Sequence, residues 1–265
     1  MQRRHQNHNG YHGETIDIHA VVNEAAAVAM AQGWTGETFL QAPEFQLTAW
    51  HRPAQAGSGR GQHSEGIRRI HISTGIHGDE PAGPLAALRL LRENIWPAHC
   101  EIFLVPCLNP AGFVRNRREN AGGLDLNRDY LNPKSSEIQA HVAWLQRHSP
   151  FDLSLALHED WEANGFYLYE LNPHNEPSAA EVMVAAASGV CPIDLASVIE
   201  GREAKNGIIR PTLDPRARPL WPESFWLIQH GTRHAFTLEA PSDFPLAVRV
   251  DALVAAVQAA LANCG

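Results

Sequence analysis

Apolar positions along this chain come in short runs, and their period switches repeatedly between helical and extended. Between residues 14 and 32, Ile16, Ile18, Val21, Val22, Ala25, Val28 and Ala29 recur at helical spacing ahead of Gly33, which predicts an amphipathic helix. Residues 39–50 alternate loosely and predict one or two strands, whereas 53–65, rich in Gly, Ser and Gln, read as a surface loop. Residues 67–74 predict a strand with Ile70 and Ile72 on one face. Pro81 then stands as though at the first position of a helix whose periodicity continues through 85–95. Further on, 102–106 and 153–157 are buried-strand candidates with a helix over about 135–147 between them. A strand at 166–169, a helix at 179–187, a strand at 235–238 and a closing helix at 246–261 complete the pattern, without internal repeat or low-complexity tract. Alternating strands and helices predict an α/β fold built on a largely parallel sheet covered on both faces.

A chain of 265 residues can bury a substantial core, and one domain spanning 1–265 is the expectation. Its net charge of -8, with no basic stretch longer than Arg115-Asn116-Arg117-Arg118, argues against a nucleic-acid partner. Cys100, Cys107, Cys191 and Cys264 show neither CxxC spacing nor a disulfide framework, which fits a reduced cytoplasmic protein. The polar start, Met1-Gln2-Arg3-Arg4-His5-Gln6, lacks the apolar core of a signal peptide, and no apolar run reaches membrane-spanning length. The chain is therefore read as soluble, unexported and without a membrane partner.

Candidate chemistry gathers in four places. His77 and Glu80, in Gly75-Ile76-His77-Gly78-Asp79-Glu80, stand three residues apart where a strand ends, and imidazole nitrogen with carboxylate oxygen suits Zn2+. Gly75 and Gly78 allow close backbone approach and positive φ around that pair. His158 closes a second strand-like run and supplies a third donor at the same sheet edge. The bland reading of its followers, Glu159 and Asp160, is a strand end meeting a polar loop. The third group runs from Asn109 through Arg118 to Asp125-Leu126-Asn127-Arg128; here Arg128 suits a substrate carboxylate, Arg118 an oxyanion, and Asp125 the far nitrogen of a ligating His. Last, Glu239 ends the apolar run Phe236-Thr237-Leu238, placed to take a proton from a metal-activated water and pass it to a leaving amine.

In this order the four groups resemble the zinc carboxypeptidase family, over residues 77–239. The resemblance implies a three-layer α/β/α sandwich around a mixed, mostly parallel sheet, with one Zn2+ held by His77, Glu80 and His158. It also implies Asn127 and Arg128 as the pair that binds the substrate's terminal carboxylate, Asp125 as the acid orienting His77, Arg118 as the arginine polarising the scissile carbonyl, and Glu239 as general base. Digestive members close the pocket with a tyrosine shortly before the catalytic Glu; this chain has no Tyr after Tyr169, leaving Trp221 or Trp226 as candidates for that space. His158-Glu159-Asp160-Trp161 with Gly165-Phe166-Tyr167-Leu168-Tyr169 looks like a bacterial branch of the family. Aspartoacylase and succinylglutamate desuccinylase relatives share the fold and zinc motif. The spacing of Arg118 and the closing helix after Glu239 favour the carboxypeptidase side. The expected substrate is a short peptide or an N-acylated amino acid; a binding protein that retains the pocket without turnover is the third reading.

Overall fold

The computed structural model describes residues 13–55 and 66–264, so most of the loop expected at 53–65 lies outside the described residues. Helix α1 (Ile18–Ala31) starts where the Asp17 carboxylate accepts the Ala20 N–H, a cap that the apolar period alone did not place. Residues 39–50 resolve into the hairpin β1 (Thr35–Gln41) and β2 (Gln46–Arg52). The chain then builds β3 (Arg68–Thr74), α2 (Ala82–Glu93), β4 (Cys100–Val105), the short α3 (Pro110–Arg115), α4 (Ser136–His148) and β5 (Leu153–Asp160). Next come β6 (Tyr167–Leu171), α5 (Ala180–Ser188), three short strands β7 (Val198–Ile199), β8 (Arg202–Lys205) and β9 (Ile208–Ile209), then α6 (Glu223–Gln229), β10 (His234–Pro241) and α7 (Leu246–Ala262).

These strands form one mixed sheet in the order β1-β2-β4-β3-β5-β10-β6-β9-β8-β7. Its centre, β4-β3-β5-β10, is parallel, and the flanks are largely antiparallel. Central strands bury both faces, so they alternate between two cores rather than between core and water. Ile70 and Ile72 of β3, Leu153, Leu155 and Leu157 of β5, and Phe236 and Leu238 of β10 pack beneath α1, α2, α5 and α7. On the other face α4 and α6 contribute Ile138, Trp144, Leu145, Trp226 and Leu227 to a second core. Each such fully buried aliphatic side chain is worth roughly 1.5–3 kcal/mol, so the two cores fix which strand residues face which helix layer. The expected α/β/α sandwich with a mixed sheet is therefore the observed architecture. Among the described residues no helix is long and apolar enough to cross a membrane.

Parallel pairing matters for chemistry because it brings carboxyl ends together. Thr74 pairs with Leu157, and His158 with Glu239, so β3, β5 and β10 all end at one sheet edge.

Candidate active site

The turn after β3 is shaped by two glycines. Gly75 has φ +63, and a Cβ there would stand 3.0 Å from Pro84 Cγ. Gly78 has no positive φ; its need is for space, since a Cβ would lie 2.1 Å from the Gly112 carbonyl carbon. That close approach docks the His77–Glu80 turn against the start of α3. Asn109 secures it: its Oδ1 accepts the Gly112 N–H while its Nδ2 donates to Ile76 O and to Arg118 O, both at 3.2 Å. One buried amide thus ties the His77–Glu80 turn to the segment carrying Arg118, a role that the Asn-Pro-Ala-Gly turn signal did not reveal.

His77, Glu80 and His158 are all buried, and one ligand atom from each lies within 4.8 Å of the others. His77 Nδ1 is 2.5 Å from Glu80 Oε1, and His158 Nδ1 is 2.9 Å from Glu80 Oε2. On the far side of its ring, His77 Nε2 is 3.3 Å from Asp125 Oδ1. A ring that donates through Nε2 to Asp125 turns its Nδ1 lone pair towards Glu80, and a cation bound by both would open that pair to about 3.4 Å. Two imidazole nitrogens and a carboxylate therefore fit a divalent metal, with Asp125 fixing the tautomer. Burial disfavours charge on every member, yet His77 and His158 draw the Glu80 carboxyl far down, and Glu80 with Asp125 raises His77. Asp125 is likewise held well below the usual carboxylate range, where the His77 and Arg118 contacts outweigh burial.

Arg118 reaches the same centre. Its Nε donates to Asp125 Oδ2 at 3.0 Å, and its Nη1 lies 3.2 Å from His77 Nδ1 and 3.5 Å from Glu80 Oε1. Asn127 Oδ1 accepts the Glu223 N–H at 2.9 Å, and Arg128 Nη1 donates to the Asn127 carbonyl at 2.8 Å. Glu239, half-buried, pairs in register with His158 on one side and Tyr167 on the other. Burial first, then the Glu80 and Asp160 charges, push its carboxyl well above the normal range. A cavity of about 530 Å³ is lined by His77, Glu80, Arg118, Asn127, Arg128, His158 and Glu239, with Asp125 behind His77. Every site residue expected from the sequence is thus brought to this one place.

Other walls were not foreseen. Trp221 and Trp226 do not line the cavity: Trp226 stacks on His230 at 3.7 Å and Trp221 packs against Phe225. The aromatic lining is instead Trp161 with Tyr167 and Tyr169 of β6, and the Tyr167 hydroxyl donates to Asp160 at 3.1 Å. Burial and the nearby Glu200 push the Asp160 carboxyl up to about 6 against the pull of the Glu162 N–H and that hydroxyl. Arg218 closes another side over the Phe225 ring, its charge disfavoured by burial and by Arg202. Glu159 is no polar loop residue: its Oε1 accepts the Ala82 N–H at 2.6 Å and its Oε2 meets Arg249, both side chains fully buried.

Residues 66–206 match the succinylglutamate desuccinylase/aspartoacylase catalytic domain. The chain belongs to this family. The match takes in His77, Glu80, Asp125, Asn127, Arg128 and His158 and ends before Glu239. The desuccinylase/aspartoacylase fold is also that of solved metallopeptidase-like proteins. A candidate metallopeptidase from Shewanella denitrificans is 25% identical with a TM-score of 0.78, over 94% of this chain and 90% of that one. Another from Shewanella baltica is 25% identical with a TM-score of 0.79, covering 94% and 93%. Carboxypeptidase SOL1 of Arabidopsis thaliana is 33% identical over 104 residues, and the match covers 31% of this chain and only 21% of that protein. Family and neighbours are hydrolases with a metallocarboxypeptidase-like fold.

Proposed function

We propose that the protein is a zinc-dependent hydrolase that cuts an amide bond adjacent to a free carboxylate, in a short peptide or amino-acid conjugate. The convergence of three buried donors, His77, Glu80 and His158, with Glu239 in register beside His158 carries this reading. A zinc ion bound by those donors supplies a Lewis acid and lowers the pKa of water to about 7. Glu239, as the carboxylate, takes the proton of the attacking water and delivers it to the leaving nitrogen. Arg118, anchored by Asp125, offers its guanidinium to the developing oxyanion. Arg128 is the planar fork for the substrate carboxylate, and Asn127, whose Oδ1 is already engaged, has its NH2 to donate beside it.

A second reading, release of an acyl group from an N-acylated amino acid, is favoured by the family match itself. Assays on N-acetyl and N-succinyl amino acids beside di- and tripeptides separate the two by which class turns over. Glu239→Gln is expected to keep its metal while kcat falls by about 10²–10⁴, and His77→Ala to lose the metal. Wild-type turnover by Glu239→Gln would remove the general-base assignment.

A further inference from the structure

Behind the candidate active site, on the α4/α6 side of the sheet, three more donors meet. His71 of β3, His141 of α4 and Glu223 of α6 are 0%, 0% and 1% exposed. His71 Nε2 and His141 Nε2 each stand 3.9 Å from Glu223 Oε1, beyond hydrogen-bond reach, and all three atoms lie within 4.8 Å of one another. None of these three atoms has a hydrogen-bond partner among the described residues. Their other polar atoms are all engaged. His71 Nδ1 is 3.1 Å from Ser154 Oγ, His141 Nδ1 is 2.8 Å from the Tyr130 hydroxyl, and the Ser73 hydroxyl donates to Glu223 Oε2 at 2.6 Å. The Ser154 and Tyr130 hydroxyls can each accept from an Nδ1–H, and rings in that tautomer present bare Nε2 lone pairs inward, as ligands need.

We propose that His71, His141 and Glu223 form a second divalent-cation site, of zinc type, that is structural rather than catalytic. The N2O donor set is that of a zinc centre, and the surrounding hydrogen bonds already orient each donor towards the others. Burial keeps both rings uncharged, His71 down to about 3 and His141 well below its usual value. Four-coordinate bonds of about 2.1 Å would bring the donors to about 3.4 Å from one another, so a cation draws them in by roughly half an ångström. The site braces β3 against α4 and α6. Through the Glu223 N–H to Asn127 Oδ1 and the Tyr130 hydroxyl, it also holds the segment that carries Arg128. This proposal does not depend on the assignment of the His77 centre.

The test is metal stoichiometry by emission spectroscopy on full-length protein expressed in zinc-supplemented medium. Wild type should hold two equivalents of zinc, His77→Ala one, and Glu223→Gln or His141→Gln one. Because the second site is enclosed, EDTA applied to folded protein should remove the His77-site ion alone. A crystal of the wild type measured on both sides of the zinc absorption edge decides independently of whether the variants fold. An anomalous peak between the two Nε2 atoms and Glu223 Oε1 supports the site. One equivalent in wild type and none in His77→Ala, or a non-anomalous water at about 2.8 Å from the three donors, overturns it.

Discussion

Arg249→Met tests how the site is held from behind. Arg249, fully buried in α7, meets Glu159 and Glu14, and Glu159 is the residue after His158. Without the guanidinium, the Glu159 carboxylate keeps the Ala82 N–H at 2.6 Å as a hydrogen-bond donor but loses its countercharge in a site with no solvent access. Breaking a buried pair in this way costs about 3–5 kcal/mol. For a urea slope near the upper end of about 1–3 kcal/mol/M, the unfolding midpoint should drop by roughly 1–2 M. Arg249→Met with Glu159→Gln should recover about 2 kcal/mol, because the stranded charge is then gone. The pH dependence has a definite sign. Burial raises the Glu159 carboxyl against the pull of Arg249, and losing Arg249 raises it further. A carboxyl whose folded pKa lies above its unfolded value, about 4.3, destabilises once pH rises through that value, and fully so above the folded pKa. The penalty of Arg249→Met should therefore be smallest near about pH 4 and grow towards neutral. A loss below about 1 kcal/mol at neutral pH, or one that is flat with pH, refutes the argument.

Two further substitutions bear on the His77–Glu80 turn. Gly78→Ala would place a methyl 2.1 Å from the Gly112 carbonyl carbon and 2.4 Å from Phe113 N, all backbone; overpacking of this kind costs about 1–3 kcal/mol or more. Since His77 and Glu80 flank that residue, calorimetry should show a lowered Tm, and metal analysis a loss at the His77 centre. Asp125→Asn keeps the shape but weakens the 3.3 Å contact to His77 Nε2; competition with a chelator should reveal metal affinity lower by about 10–100-fold, and an unchanged affinity counts against Asp125 as the orienting acid.

Much of the fold was legible because its central strands are buried on both faces and its longer helices keep one apolar stripe. Ile70, Ile72, Leu155 and Leu157 mark β3 and β5 by composition alone. What escaped was short or mixed. Strands β7 and β9 are two residues each, β8 carries exposed Arg202, Glu203 and Lys205, and α6 packs Phe225 to Ile228 as one apolar run too brief to show a period. The antiparallel addition of β6 to β10 is set by tertiary packing, and no local pattern encodes it.

The same distinction explains the site. His77, Glu80, His158 and Glu239 could be read because each lies at or just past the carboxyl end of an apolar strand, and the sheet turns that position into proximity: registering Glu239 with His158 puts the two side by side whatever lies between them in sequence. Trp221 and Trp226 were attractive as pocket walls only through nearness to Glu239 along the chain. Register also decides this case, because β10 pairs Glu239 with Tyr167, an aromatic far upstream, while the tryptophans turn away into the cores around α6. His71, His141 and Glu223 carry no spacing signal at all, since β3, α4 and α6 meet only through the sheet. His71, alternating with Ile70 and Ile72 in a strand buried on both faces, reads as core, and only the helices packed above it reveal that its ring faces two further donors. Chemistry borne at strand ends is therefore accessible from sequence, whereas chemistry borne between a strand face and its covering helices becomes visible only once the layers are assembled.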